Sequence, residues 1–136
     1  MDHRHIALIQ TSFAKVFKHK GELADRFYAR LFEALPESRA LFTQDFSKQK
    51  DMFEAMLAST VRSLGDTASF ENLGERLALN HRKYGVDTKQ YMAAADALTA
   101  ALKDVMGDAL SEDEERAWSE AVHALTGMMA QPIRSG

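Results

Sequence analysis

Phe70-Glu-Asn-Leu73-Gly-Glu-Arg-Leu77-Ala-Leu-Asn-His81-Arg-Lys-Tyr84-Gly85-Val86 is a helical pattern that closes on a histidine shortly before a glycine. Leu73, Leu77 and His81 stand four residues apart, so a helix places all three on one face. Two apolar neighbours are poor company for a solvated imidazole, whose ring nitrogens need partners. One reading is a core histidine satisfied by hydrogen bonds; the other is a ligand. The rest of the chain can be read as a pocket around His81.

Outward from this stretch the apolar period stays close to 3.6, and nothing alternates with period two for long enough to make a strand. The chain is therefore expected to be all-helical. Ile6, Ile9, Phe13 and Val16 form a first face, with a break expected at Lys20-Gly21. Leu23, Phe27, Leu31 and Leu35 form a second stripe with Tyr28 beside it, stopped by Pro36, which lacks an amide hydrogen and crowds the preceding turn. Proline also suits a helix start, and Pro36 to Phe42 is long enough for a short one that turns Leu41 and Phe42 inward. From about Ser47 to Leu64, Gln49, Phe53, Met56, Thr60 and Leu64 share a face, and Gly65 is the expected left-handed residue after it. A loop Asp66-Thr-Ala-Ser is expected before the histidine helix, which runs from about Phe70 to Lys83. The turn Tyr84-Gly85-Val86-Asp87 leads into a long helix with Tyr91, Ala94, Leu98, Leu102 and Val105 on one side, closing at Gly107. Ser111-Glu-Asp-Glu114 is a capping-box pattern opening a last helix with Trp118, Val122, Leu125 and Met129. Seven helical segments result, with residues 131–136 expected as a frayed tail.

With 136 residues, a single domain over 1–136 is expected, large enough to bury roughly 70% of its unfolded surface. The net charge of -3 and interspersed acids and bases give no footprint for nucleic acid. There is no cysteine, hence no disulfide, zinc-thiolate or dithiol redox chemistry. No stretch approaches the roughly 20 apolar residues of a membrane span, and the apolar run near Ile6 is too short for a signal sequence. A soluble cytoplasmic protein is expected.

In order and spacing, Phe27-Tyr28, Pro36, Leu41-Phe42, Gln49, His81-Arg-Lys-Tyr84-Gly85-Val86, Tyr91 and Ala117-Trp118 resemble the bacterial single-domain globins similar to the heme domains of flavohemoglobins. The resemblance covers nearly the whole chain. It implies a globin fold of about seven helices around a pocket for a non-covalently held heme b, between the Gln49 helix and the His81 helix. His81 would be the iron ligand, its second ring nitrogen donating to the nearest candidate, the carbonyl of Leu77. Phe42, Phe53, Leu77, Tyr84, Val86, Tyr91 and Leu98 would line the cofactor, all of them residues that any core could also use.

On the open face, the resemblance gives Tyr28 and Gln49 as the polar residues that meet the gas ligand, with Phe53 narrowing the approach. Both can donate, and each donor in a dry pocket contributes roughly 1 to 3 kcal/mol. The plainer readings are a core tyrosine bonding a backbone carbonyl for Tyr28 and a surface amide for Gln49; a register shift of one would substitute Lys48 and Met52, though the spacing from Phe42 favours Gln49. Tyr91 matches a tyrosine that, with a carboxylate, makes the family's histidine strongly electron-donating. The last acid here is Glu120, and no carboxylate follows between Met128 and Arg134. His19 and His123 read as structural or solvated, and His3 and His5 as an adventitious metal site.

The implied ligands are dioxygen, nitric oxide and carbon monoxide, at an iron that is five-coordinate or weakly six-coordinate. Oxygen binding, storage or delivery is the first use. The alternatives are a nitric oxide dioxygenase served by a separate reductase, since 136 residues leave no room for a flavin and nicotinamide domain, and a gas sensor acting through a partner. A helical protein without heme is the remaining reading.

Overall fold

Six α-helices and two short 3-10 segments account for nearly all of the computed structural model, which describes residues 2–41, 46–82 and 85–130, with only the backbone at Leu41. In order they are α1 (His3–Phe17), α2 (Lys20–Ala34), a 3-10 turn Pro36–Leu41, α3 (Phe46–Ser63), α4 (Thr67–Arg82), α5 (Thr88–Met106), a 3-10 turn Gly107–Ala109 and α6 (Glu112–Ala130). The described residues contain no strand, as the period predicts.

Helix boundaries follow from local chemistry. Asp2 caps α1 by accepting from the amide of His5 at 2.8 Å. The first break comes earlier than Lys20-Gly21: α1 ends at Phe17 and Gly21 lies in the first turn of α2. His19 makes this corner at φ -106° and ψ 23°, a conformation open to any residue, so glycine is not what ends α1. Gly65 is not left-handed either; among the described residues positive φ is confined to Gly85 at 68° and Gly107 at 47°. The expected loop at Asp66 is the cap and first turn of α4, because the Asp66 carboxylate accepts from the Ala68 amide and the Ser69 hydroxyl at 3.2 and 2.8 Å. Asp87 and Gln90 form a reciprocal capping box on α5, and Ser111 and Glu114 form the expected one on α6.

Helix α2 packs on α5 and α5 on α6, while α1 and α4 both lie against α6 and α3 spans from α2 to α4. The core falls into two clusters. The larger joins Ile9, Val16, Leu23, Tyr28, Phe53, Leu98, Leu102 and Trp118; the smaller joins Leu73, Ala78, Tyr91, Leu125 and Met129. Met56 and Phe70, both half-buried, pack against each of them. On α2 the buried line is Leu23, Ala24, Tyr28 and Leu31, with Phe27 and Leu35 half-buried at its edge, so Tyr28 is more central than its stripe suggests. Ser12 is fully buried because its hydroxyl accepts from Trp118 Nε1 at 2.8 Å and donates to the Leu8 carbonyl at 2.7 Å, tying α1 to α6. Between α4 and α6 a Cβ on Gly74 would stand 3.2 Å from Met128 Cβ, so glycine here permits the close approach of the two helices. Among the described residues no helix is long and apolar enough to cross a membrane.

Candidate functional site

His81 sits in the last turn of α4. Its Nδ1–H donates to the Leu77 carbonyl at 2.7 Å, the partner that helical spacing predicts. With the proton on Nδ1, a neutral imidazole presents the Nε2 lone pair. The ring lies 6.0 Å from that of Tyr91, tilted by 53°. Tyr91 is buried, which pushes its phenol up from the ordinary value, while the positive charge of Arg82 opposes the shift. Leu77 and Val86 are half-buried against the smaller core cluster, whereas Leu98 belongs to the larger. His81 itself is exposed. Phe42 and Tyr84 lie outside the described residues.

Tyr28, Gln49 and Phe53 come together on the α2–α3 side. Gln49 Nε2 donates to Tyr28 Oη at 3.0 Å. Tyr28 and Phe53 are each 4% exposed and meet edge to face, their centroids 5.9 Å apart. Phe27 stacks on Phe53 at 5.0 Å, and Phe46 meets Tyr28 edge-on at the same distance. Burial pushes the Tyr28 phenol up, and the Gln49 amide pulls it partly back. Lys48 is exposed, so it is Gln49 that reaches Tyr28, and Lys50 pairs with Asp25.

Phe27, Phe46, Met56 and Phe70 also surround the two halves of the site, and sequence reasoning did not assign them to it. The signal was present for Met56, seven residues after Gln49 on the same helical face. For the phenylalanines only the packing decides. Of the four other histidines, His5 lies against Glu120, His19 against Glu22 and His123 between the Ser119 carbonyl and Asp96, while His3 is exposed. Among the described residues no group of three metal-ligating side chains occurs. A half-open groove of about 260 Å³ between α5 and α6, floored by Leu102, Leu110 and Trp118, shares no residue with the site.

These residues fit a heme. Such a flat, largely apolar group would need a nitrogen donor for its iron, apolar walls and few charges. His81 with its committed Nδ1, the aromatic face of Phe53 and the two clusters bridged by Met56 and Phe70 have that chemistry.

The sequence profile of the globin family matches residues 25–129. The flavohemoproteins of Bacillus subtilis and Halalkalibacterium halodurans are 28% and 27% identical over 127 residues, covering 89% and 91% of this chain. The match covers only 31% of each, so the chain spans about a third of the length of the curated relatives it matches. Among solved structures, an engineered carbene transferase based on a candidate nitric oxide dioxygenase from Rhodothermus marinus has a TM-score of 0.83 at 25% identity, covering 96% of this chain and 91% of that one. A bacterial globin from Campylobacter jejuni has a TM-score of 0.80 at 17% identity, covering 95% and 94%, and shares the fold. With an all-α globin fold and a profile match over most of its length, the chain belongs to the globin family, a heme-binding family, and is related to the globin domains of flavohemoproteins.

Proposed function

We propose that this chain would hold a heme b through His81 and, with it bound, reversibly take up dioxygen, nitric oxide or carbon monoxide beside Tyr28 and Gln49. The observation that carries this reading is the hydrogen bond from His81 Nδ1 to the Leu77 carbonyl, which commits one ring nitrogen and leaves the other as a metal donor. Bound there, the heme supplies an iron with an open coordination position. Leu77 and Val86, half-buried against the smaller core cluster, would shield one side of it from water. Tyr28, like any tyrosine, is a protonated phenol at neutral pH, and burial raises its pKa further, so its hydroxyl can serve as a donor toward the gas. Gln49 orients that phenol by donating to its oxygen. Oxygen binding or storage is the use that two donors support, since each slows release, whereas delivery asks for faster dissociation. Reconstitution with hemin should give a red protein with an intense Soret band; a chain that takes up no hemin would overturn the reading.

A second reading is nitric oxide dioxygenation, favoured by the similarity to the Rhodothermus marinus protein and to flavohemoproteins. Nitric oxide, dioxygen and one electron give nitrate, and a separate reductase would deliver the electron. Nitrate formed over repeated turnovers with a reductase present would favour this reading, and a single stoichiometric burst would favour storage.

A further inference from the structure

Gln49, Met52, Phe53 and Met56 fall at i, i+3, i+4 and i+7 on α3, one stripe of a helix. Three of them are buried or half-buried, and Met52 is 62% exposed. Met56, one turn further along the same side, packs against both core clusters, and its Sδ lies 3.4 Å from the Thr60 hydroxyl. Met92 is also 62% exposed, but on α5 it shares a row with the exposed Lys89 and Asp96, an ordinary solvated face. Met52 instead shares its row with the half-buried Gln49 and Met56, of which Met56 packs against both clusters. We propose that Met52 covers the edge of the heme, and that its thioether is a site at which hydrogen peroxide weakens heme retention.

The proposal rests on the heme reading above. A methionine thioether takes one oxygen atom from hydrogen peroxide as the O–O bond breaks; sulfur loses two electrons, the peroxide is reduced, and water leaves. The sulfoxide is polar where an apolar side chain meets an apolar disc. Met92 carries the same chemistry at the same exposure and serves as an internal standard.

The test exposes the chain to hydrogen peroxide in the dark, with and without bound zinc protoporphyrin, and measures oxidation of each methionine by peptide mass spectrometry. Protection of Met52 by several-fold with Met92 unchanged is the expected result. Porphyrin bound without protection of Met52 would overturn this proposal and leave the heme reading intact; failure to bind porphyrin or hemin would overturn both. As a second arm, hemin transfer to excess apomyoglobin is timed after peroxide treatment of the apoprotein and reconstitution. Transfer should quicken in the wild type, stay unchanged in Met52→Leu, and be fast without peroxide in Met52→Gln. Equal transfer rates in all of them would overturn the role in retention.

Discussion

Gln49 donates its side-chain amide to the phenol oxygen of Tyr28 across 3.0 Å, joining α3 to α2 inside an aromatic surround of Phe27, Phe46 and Phe53. A phenol that accepts from an amide remains a donor through its own O–H, and polarisation by the amide strengthens it in that role. The pair therefore acts as one unit.

Replacing Tyr28 by phenylalanine removes the hydroxyl and keeps the ring. The dioxygen dissociation rate is expected to rise by about tenfold or more, the worth of one buried hydrogen bond, with a much smaller change for carbon monoxide. Association should hardly change. Gln49→Leu should show the same direction with a smaller effect, and less than additive in the double variant. Stopped-flow displacement measures the dioxygen and carbon monoxide off-rates in wild type and variants, and flash photolysis the association rates; an unchanged dioxygen off-rate in both single variants would remove Tyr28 and Gln49 from the ligand site.

His81→Ala should purify largely without heme, and free imidazole should restore part of the spectrum by entering the space of the lost ring. A normal Soret band in the variant without imidazole would reject His81 as the ligand.

Heme should also hold the fold together. Binding to the folded state alone stabilises by about 4 kcal/mol when free heme is a thousand times its dissociation constant. Thermal melts of apoprotein and reconstituted protein should differ accordingly, and coincident midpoints would contradict the idea.

At the other end of the molecule, Glu114 closes the α6 capping box and meets Lys15 of α1 at 3.2 Å. The Ser111 amide, and Lys15 after it, hold the Glu114 carboxyl below its usual value. A depressed carboxyl contributes stability above its unfolded pKa and loses it as pH falls through the folded one. Glu114→Gln keeps the acceptor and deletes the charge. It should cost about 1 kcal/mol at neutral pH, since Lys15 is exposed and Glu114 only partly buried, and the gap should close in the acid range. Urea titrations at neutral and acid pH read this directly; a gap independent of pH would show that the charge is idle.

Much of this architecture is legible in the sequence because helices advertise themselves by period and by caps. Ser111 with Glu114, and Pro36 after the second stripe, mark their boundaries from short-range chemistry alone. Asp66 was read as loop because its capping role is the same local chemistry seen from the wrong side of the boundary. Gly21 and Gly65 misled because glycine permits a left-handed corner without requiring one, and the chain turned at His19 through ordinary dihedrals. The histidine and its Leu77 partner follow from i, i+4 spacing, and Gln49 from its step to Phe53. Phe27, Phe46 and Phe70 could not be assigned from spacing, since whether a phenylalanine faces a ligand or another helix is settled by tertiary packing. Ser12 was invisible for the same reason: its partner, Trp118, is 106 residues away.

The tight passage of Gly74 beside Met128 sets how closely α4 can lie on α6. His81 lies seven residues further along the same helix, roughly 10 Å along the axis at 1.5 Å per residue. A side chain at position 74 would have to displace Met128 or lift α4 from α6, and would thereby shift the imidazole without touching any residue beside it.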